Sequence, residues 1–367
     1  MKLAIVGYGT WATTMAAALG RKYERVRDVR IAWWISPESR FEGQRLLDVV
    51  VRTGENRKRL PGVPIPSNVH ASGDLAEVAA DANVLIWITP AAYTKALLLK
   101  LAPIADRALV LHGIKGFDPD ASDLKTMSMM FGADGGVDES RIGVLSGPNI
   151  APEIAGNFTP EPQRRWAPVA AVVASATETA ARQLAELVEI DGVIRAYTTR
   201  DVRGVELCGI LKHIYAIAAG VCDGMGMPHS TKASLKSRSI AEMKRILCWF
   251  RSEMPEFGSV CDETLDSPAG LGDLDVSCMT GRNHTLGRSL AQGMPTAEVN
   301  EKVLRGMVAE GIHVVRRLCD CLRDSGLRTP ILSEVHQMVW EGKPADQAIG
   351  SVLHSRRPAG PCSFSLE

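Results

Sequence analysis

Short apolar runs alternate with turn-forming clusters through the first half of the chain. Residues 2–6 (Lys-Leu-Ala-Ile-Val) form the first run, whose length and following glycines favour a buried parallel strand over a helix. Val29–Ile35, Val84–Ile88, Ala108–His112 and Ile142–Leu145 repeat the pattern, and three of them end in Thr89-Pro90, Gly113-Ile-Lys115-Gly116 and Ser146-Gly-Pro-Asn149. From Ala196 the strand pattern stops, and Tyr197–Asp201 reads as a connection into long helical segments. Between Gly204 and Gly224, the residues Leu207, Ile210, Leu211, Ile214, Ile217, Ala218 and Val221 recur at helical spacing and define one apolar face. The opposite face carries Cys208, Gly209, Lys212, His213, Ala216, Ala219 and Gly220. A helix that is apolar or small on all sides is a buried one, so Lys212 is expected in a partly desolvated setting.

The first strand runs into Gly7-Tyr8-Gly9-Thr10-Trp11-Ala12 and then a good helix former, a GxGxxA pattern at a strand-to-helix turn. Gly7 permits the tight turn, Gly9 removes a side chain so that backbone N–H groups reach a pyrophosphate, and small Ala12 lets helix and strand pack closely. Thr10 and Trp11 open the helix beside them. The same pattern also occurs as a purely structural glycine turn; the following strand at Val29–Ile35 supplies the βαβ context that favours dinucleotide binding. The chain is therefore expected to begin with an α/β Rossmann-type domain with a mostly parallel sheet, followed by an all-α C-terminal domain. The expected division is 1–195, 196–354 and a flexible tail over 355–367. At the end of the second strand, where an acid usually marks NAD, stand Ser36-Pro37-Glu38-Ser39-Arg40, with an arginine able to meet a 2′-phosphate, so NAD and NADP both remain open.

Ligands of open α/β sheets bind beyond the carboxyl ends of the strands, which brings Pro90, Lys115 and Asn149 toward a bound molecule; by position alone Lys115 is also compatible with a solvated surface lysine. Desolvation lowers a lysine's pKa and makes it a usable proton donor and acceptor, the role Lys212 suggests, although a structural lysine paired with a carboxylate gives the same pattern. His213, beside it, is by itself more often a packing or hydrogen-bonding residue than a catalyst. A second cluster, Ala269–His284, offers the Asp273 carboxylate, the Ser277 hydroxyl, and in Arg282 and Asn283 a guanidinium fork and an amide suited to phosphate oxygens. Gly-Arg-Asn also occurs in turns that bind nothing.

Composition narrows the picture. The 367 residues hold 42 Lys+Arg against 42 Asp+Glu, with 46% hydrophobic and 23% charged residues, which excludes wholesale disorder and leaves no global field for nucleic acid or an anionic membrane. The eight cysteines lack paired metal spacing; Cys319 and Cys321 read as helix positions, no metal is expected, and reduced thiols fit a cytoplasmic protein. No membrane span and no signal peptide are expected.

Taken together, Gly7–Ala12, Ile114–Phe117, Ser146–Ala155, Val205–Ala216 and Ala269–Asn283 resemble, in order and spacing, the NAD-dependent glycerol-3-phosphate dehydrogenases, over residues 1 to about 345. The resemblance implies reversible hydride transfer between the nicotinamide of NAD or NADP and dihydroxyacetone phosphate, a small phosphorylated ketone, giving sn-glycerol 3-phosphate. It also implies a homodimer. It implies Lys212 as the proton donor to the C2 oxygen, Asp273 as the carboxylate that positions this ammonium, and Ser277 as a hydroxyl near the substrate. Lys115 and Asn149 would line the nicotinamide end, and Arg282 with Asn283 would anchor the phosphate. Arg282 and Glu310 would lie near the cofactor.

His213 stands where the family usually carries asparagine; an imidazole can change charge near neutral pH and an amide cannot. That departure leaves room for a relative acting on another phosphorylated or anionic ketone. A cofactor-binding protein without turnover is the remaining alternative, and the presence of both Lys212 and Asp273 argues against it. Pro152, the segment 157–166 and Met227–Ser230 also depart from the family pattern, at the crevice rim.

Overall fold

The computed structural model describes residues 1–105, 107–161, 168–258, 260–305, 307 and 309–355; all of the expected tail except Ser355, and the part of segment 157–166 from Pro162 onward, lie outside them. The chain divides into two compact units, Met1–Gly209 with Ser259–Asp273, and Ile210–Gly258 with Leu274–Glu367, so the division falls inside the helix Val202–Gly224.

The first unit is built on an eight-stranded sheet. Its strands are β1 (Lys2–Val6), β2 (Arg30–Trp34), β3 (Val69–Ser72), β4 (Val84–Trp87), β5 (Leu109–His112), β6 (Ile142–Ser146), β7 (Val169–Ser175) and β8 (Ile194–Thr199), in the spatial order β8-β7-β6-β5-β4-β1-β2-β3. Strands β1 to β6 are mutually parallel, in the 3-2-1-4-5-6 order of a dinucleotide-binding sheet. β7 turns antiparallel against β6, and β8 runs parallel to β7. The strand pattern thus continues through Tyr197–Thr199, three residues that read as connection in the sequence: β8 lies at the sheet edge and points exposed side chains outward, so it lacks the apolar run that marks the central strands.

Both faces of the central sheet are covered, which is why its strands are continuous apolar runs rather than alternating ones. Leu3 and Ile5 join one core with Met15, Trp33 and Leu145, while Ala4 and Val6 join the other with Trp87, Leu98 and Phe131. This is the two-residue period of a strand expressed twice. Because β1 to β6 point the same way, Gly7, Ser36, Pro90, Lys115 and Asn149 all leave the sheet from one edge.

The second unit carries helices only among its described residues, chiefly His229–Glu253, Arg282–Ala291, Gly311–Leu322, Pro330–Trp340 and Ala345–His354. The helix Val202–Gly224 is the one described element long and apolar enough to cross a membrane, and 94% of its most apolar stretch is buried within the protein, as in a core helix. Asp201 caps its start, accepting the Gly204 N–H at 2.9 Å and the Cys261 N–H at 2.9 Å. Farther along, small residues set the packing: a Cβ on Gly220 would lie 2.1 Å from the His284 carbonyl oxygen, and one on Gly287 would lie 2.0 Å from that of Ile217. The helix Arg282–Ala291 is thereby drawn against the lysine-bearing helix at backbone contact.

Candidate active site

In the first unit the chemistry begins at the glycine turn. Gly7 has φ 131°, and a Cβ there would sit 2.1 Å from the Ile88 carbonyl oxygen, so both conformation and space demand glycine. The turn is fastened from outside. The indole of Trp33 donates to the Gly7 carbonyl at 2.7 Å, and Asn56 Nδ2 donates to the Tyr8 carbonyl at 3.2 Å and to Thr13 Oγ1 at 2.8 Å. Gly9 plays a different part. It precedes the helix Thr10–Lys22, and a Cβ added to it would touch nothing within 4 Å. The helix has no acidic residue in its first turn, so its unpaired N–H groups open onto free space with no negative side chain competing for them. Thr10 and Trp11 are half-buried beside this space, and Ala12 is wholly buried beneath it. A pyrophosphate fits this cradle.

At the end of β2, Ser36 is half-buried and Arg40 is exposed, its guanidinium folded onto the carbonyls of Pro37 (2.5 Å) and Ser39 (3.3 Å). Lys58 reaches the same loop, donating to the Arg40 carbonyl at 2.7 Å. Its ammonium is held below the usual lysine range by burial and by repulsion from Arg59. Nothing in the spacing of the sequence marks Lys58 as a neighbour of Ser36–Arg40. Pro90 is exposed just past β4.

Beyond β5 and β6, Lys115 Nζ donates to Asp273 Oδ2 at 2.5 Å, and Ser146 Oγ donates to the same oxygen at 3.4 Å. Asp273 is 2% exposed, so this carboxylate is a buried anion held by a cation and a hydroxyl. The Lys115–Asp273 pair joins residues 158 positions apart and was not anticipated from the sequence. Asn149 donates through Nδ2 to the Ser146 carbonyl at 3.1 Å, while its Oδ1 is buried with no hydrogen-bond partner. A lone buried acceptor suits a ligand N–H such as that of a carboxamide.

The second unit holds the other half of the predicted set. Lys212 is 6% exposed and His213 7% exposed, as expected for a helix without a charged face. His213 Nδ1 lies 2.7 Å from Asn283 Nδ2, and His213 Nε2 lies 3.4 Å from Glu310 Oε2. The Gly311 N–H donates to Asn283 Oδ1 at 3.0 Å. Burial pushes the Glu310 carboxyl up, but its hydrogen bond from His213 and the neighbouring cations Arg282 and Lys212 outweigh that and hold it below the usual carboxylate range. Lys212, His213, Arg282, Asn283 and Glu310 therefore form one electrostatic cluster, from two helices and the cap of a third that are distant in sequence. Arg282 is exposed at the first position of its helix, and Ser277 is half-buried on Asp273–Met279.

The sequence reading missed Trp33, Asn56, Ser146 and Lys58. Ser146 alone had a signal, since it lies within the Ser-Gly-Pro-Asn segment already singled out.

Family models agree with this geometry. The one for the NAD-dependent glycerol-3-phosphate dehydrogenase N-terminus matches residues 2–161, and the one for the C-terminus matches residues 201–350. The glycerol-3-phosphate dehydrogenase [NAD(P)+] of Geobacter metallireducens is 34% identical over 353 residues, covering 95% of each chain. The cytoplasmic glycerol-3-phosphate dehydrogenase [NAD(+)] of Pongo abelii is 30% identical over 354 residues, covering 95% of this chain and 96% of its own. Among solved structures, the glycerol-3-phosphate dehydrogenase of Coxiella burnetii aligns with a TM-score of 0.81 at 27% identity, covering 96% of this chain and 99% of its own. The chain belongs to the NAD-dependent glycerol-3-phosphate dehydrogenase family.

Proposed function

We propose that the protein is an NAD(P)-dependent sn-glycerol-3-phosphate dehydrogenase, an oxidoreductase acting on a CH–OH group, with Lys212 as its general acid and base. The names of the relatives support the activity. The observation that carries the assignment of Lys212 is its burial, at 6% exposure, as the one buried lysine or arginine of the helix Val202–Gly224.

In this reading Gly7, Gly9, Thr10, Trp11 and Ala12 hold the cofactor's pyrophosphate, and Ser36 and Arg40 meet its adenosine ribose, the cofactor being NAD or NADP. Pro90, Arg282 and Glu310 contact the cofactor as well. Bound there, the nicotinamide supplies the hydride donor or acceptor that no side chain can provide. Arg282 and Asn283 bind the phosphate of dihydroxyacetone phosphate, with His213 at their side. Lys115 and Asn149 line the nicotinamide end. Lys212 donates a proton to the C2 oxygen as charge develops there, and takes it back in the reverse direction. Asp273 positions the ammonium of Lys212, and its buried carboxylate also pairs with Lys115. Ser277 offers a hydroxyl near the substrate.

Dinucleotide binding is assigned to 1–195 and substrate binding to 196–354. A cytoplasmic homodimer is the proposed working form, with the Pongo abelii relative's name supporting the location.

The test is absorbance at 340 nm with purified protein, NADH or NADPH, and a panel of ketones. Oxidation with dihydroxyacetone phosphate above all others is the expected result. Oxidation only with a different phosphorylated ketone would replace the substrate, and none with any ketone would overturn the activity.

A further inference from the structure

His213 touches two of the groups assigned above, and the chemistry of those contacts fixes where its proton sits. The Gly311 N–H donates to Asn283 Oδ1 at 3.0 Å. A backbone N–H can only donate, so the Asn283 amide has one orientation, with Oδ1 toward Gly311 and the Nδ2 donor toward His213. Nδ2 meets His213 Nδ1 at 2.7 Å, so Nδ1 must accept. A neutral ring that accepts at Nδ1 carries its proton on Nε2, and Nε2 faces the Glu310 carboxylate at 3.4 Å. A second proton on the ring would set the Nδ1–H against the amide donor. Turning the amide over would instead set Nδ2 against the Gly311 N–H, leaving a buried donor unsatisfied either way. His213 and Asn283 are 7% and 9% exposed, which leaves little water to relieve the conflict. Arg282 and Lys212, the cations that share the Glu310 field, add nothing that would favour a further positive charge on the ring.

We infer that His213 is a positioning residue, held as the neutral Nε2–H tautomer, that ties the phosphate-binding amide of Asn283 to the carboxylate of Glu310. The imidazole thereby does the work of an amide, accepting on one side and donating on the other, and does not act as a proton carrier. The roles of Asn283 and Glu310 rest on the proposed function; the tautomer rests on hydrogen bonding alone.

Two measurements on the full chain test this. The first is a nitrogen-15 spectrum of histidine-labelled wild-type protein at pH 7.5, with the His213 signals identified by their loss in His213→Asn. An unprotonated Nδ1 and a protonated Nε2 are expected. The opposite tautomer, or protonation of both nitrogens, overturns the inference whatever the enzyme's activity.

The second is steady-state kinetics with NADH and dihydroxyacetone phosphate. His213→Asn keeps an acceptor for Asn283 in its Oδ1, His213→Gln keeps a donor for Glu310 in its Nε2, and His213→Ala keeps neither. His213→Ala should raise KM for dihydroxyacetone phosphate about tenfold, the loss of roughly one buried hydrogen bond, with kcat within about threefold. His213→Asn should return KM to within about threefold of wild type, and His213→Gln should hold NADH more tightly than His213→Ala. An unchanged KM in His213→Ala, or an Asn variant no better than the Ala variant, contradicts the tie to Asn283. If wild-type protein turns over no ketone, the proposed function fails, and the spectrum alone then decides the state of His213.

Discussion

The glycine turn of the first unit and the lysine cluster of the second are fixed in opposite ways. At the turn, consecutive residues do the work: Gly7 meets a steric demand, Gly9 leaves a space, and the helix that follows supplies its own N–H groups. In the cluster, no two of His213, Asn283 and Glu310 are close in sequence, and they meet because Gly220 and Gly287 let two helices touch. A local site is written in one short motif and is robust to distant change. A site assembled from several helices depends on packing residues that bear no chemistry.

Substitutions at glycine break this comparison most sharply. Gly7→Ala places a methyl group against the Ile88 carbonyl in a left-handed conformation, and should destabilise the first unit by about 3 kcal/mol or more, read as a lowered urea midpoint. Gly287→Ala, with its Cβ 2.0 Å from the Ile217 carbonyl, should part the two helices and cost about 2–3 kcal/mol by the same measure. It should also raise KM for a phosphorylated substrate, although Gly287 is no ligand. Arg282→Ala removes an exposed cation and should leave stability within about 0.5 kcal/mol while raising that KM about tenfold or more. An unchanged KM would mean that the phosphate is held elsewhere.

A smaller effect sharpens the account of the helical unit. Glu242 is wholly buried and accepts the N–H groups of Ile331 and Leu332 at 2.9 Å each, at the start of the helix Pro330–Trp340. Burial raises its carboxyl to about 7 against the lowering effect of those donors. The folded form therefore holds a proton that the unfolded chain has already released. Its contribution to stability is complete below about pH 4.5 and is lost as pH rises through 7, with a slope of at most about 1.4 kcal/mol per pH unit. Glu242→Gln should flatten that part of the stability profile, measured by urea unfolding between pH 5 and 8. An unchanged slope would assign the dependence to other groups. Gly9→Ala should cost only about 0.5–1 kcal/mol, the N-cap preference for glycine over alanine, because its methyl group meets nothing, yet it should weaken cofactor binding measured by fluorescence titration.

Much of the first unit was legible because its signals are local. The central strands are short apolar runs, and each of the strand ends named from the sequence emerges at the same sheet edge. Val69–Ser72 is four residues long at the sheet edge with a histidine in its middle, and offers no such run. In the second unit, the uncharged face of Val202–Gly224 announced burial and so the unusual setting of Lys212. It did not announce partners. The Lys115–Asp273 pair spans 158 positions and the His213–Asn283 contact spans 70, separations at which spacing carries no geometric information. Lys58 was invisible for the same reason. His213 looked like a titratable departure from an amide, and only the Gly311 N–H behind Asn283 reveals it as an amide's substitute.

The central claim is that Lys212 supplies the proton. The measurement that tests it most directly is turnover and cofactor affinity of Lys212→Ala beside wild type, with NADH or NADPH and dihydroxyacetone phosphate. The account predicts a loss of about 100-fold or more in kcat with cofactor binding nearly intact, the usual size of a general acid's contribution. Turnover within about threefold of wild type would contradict it.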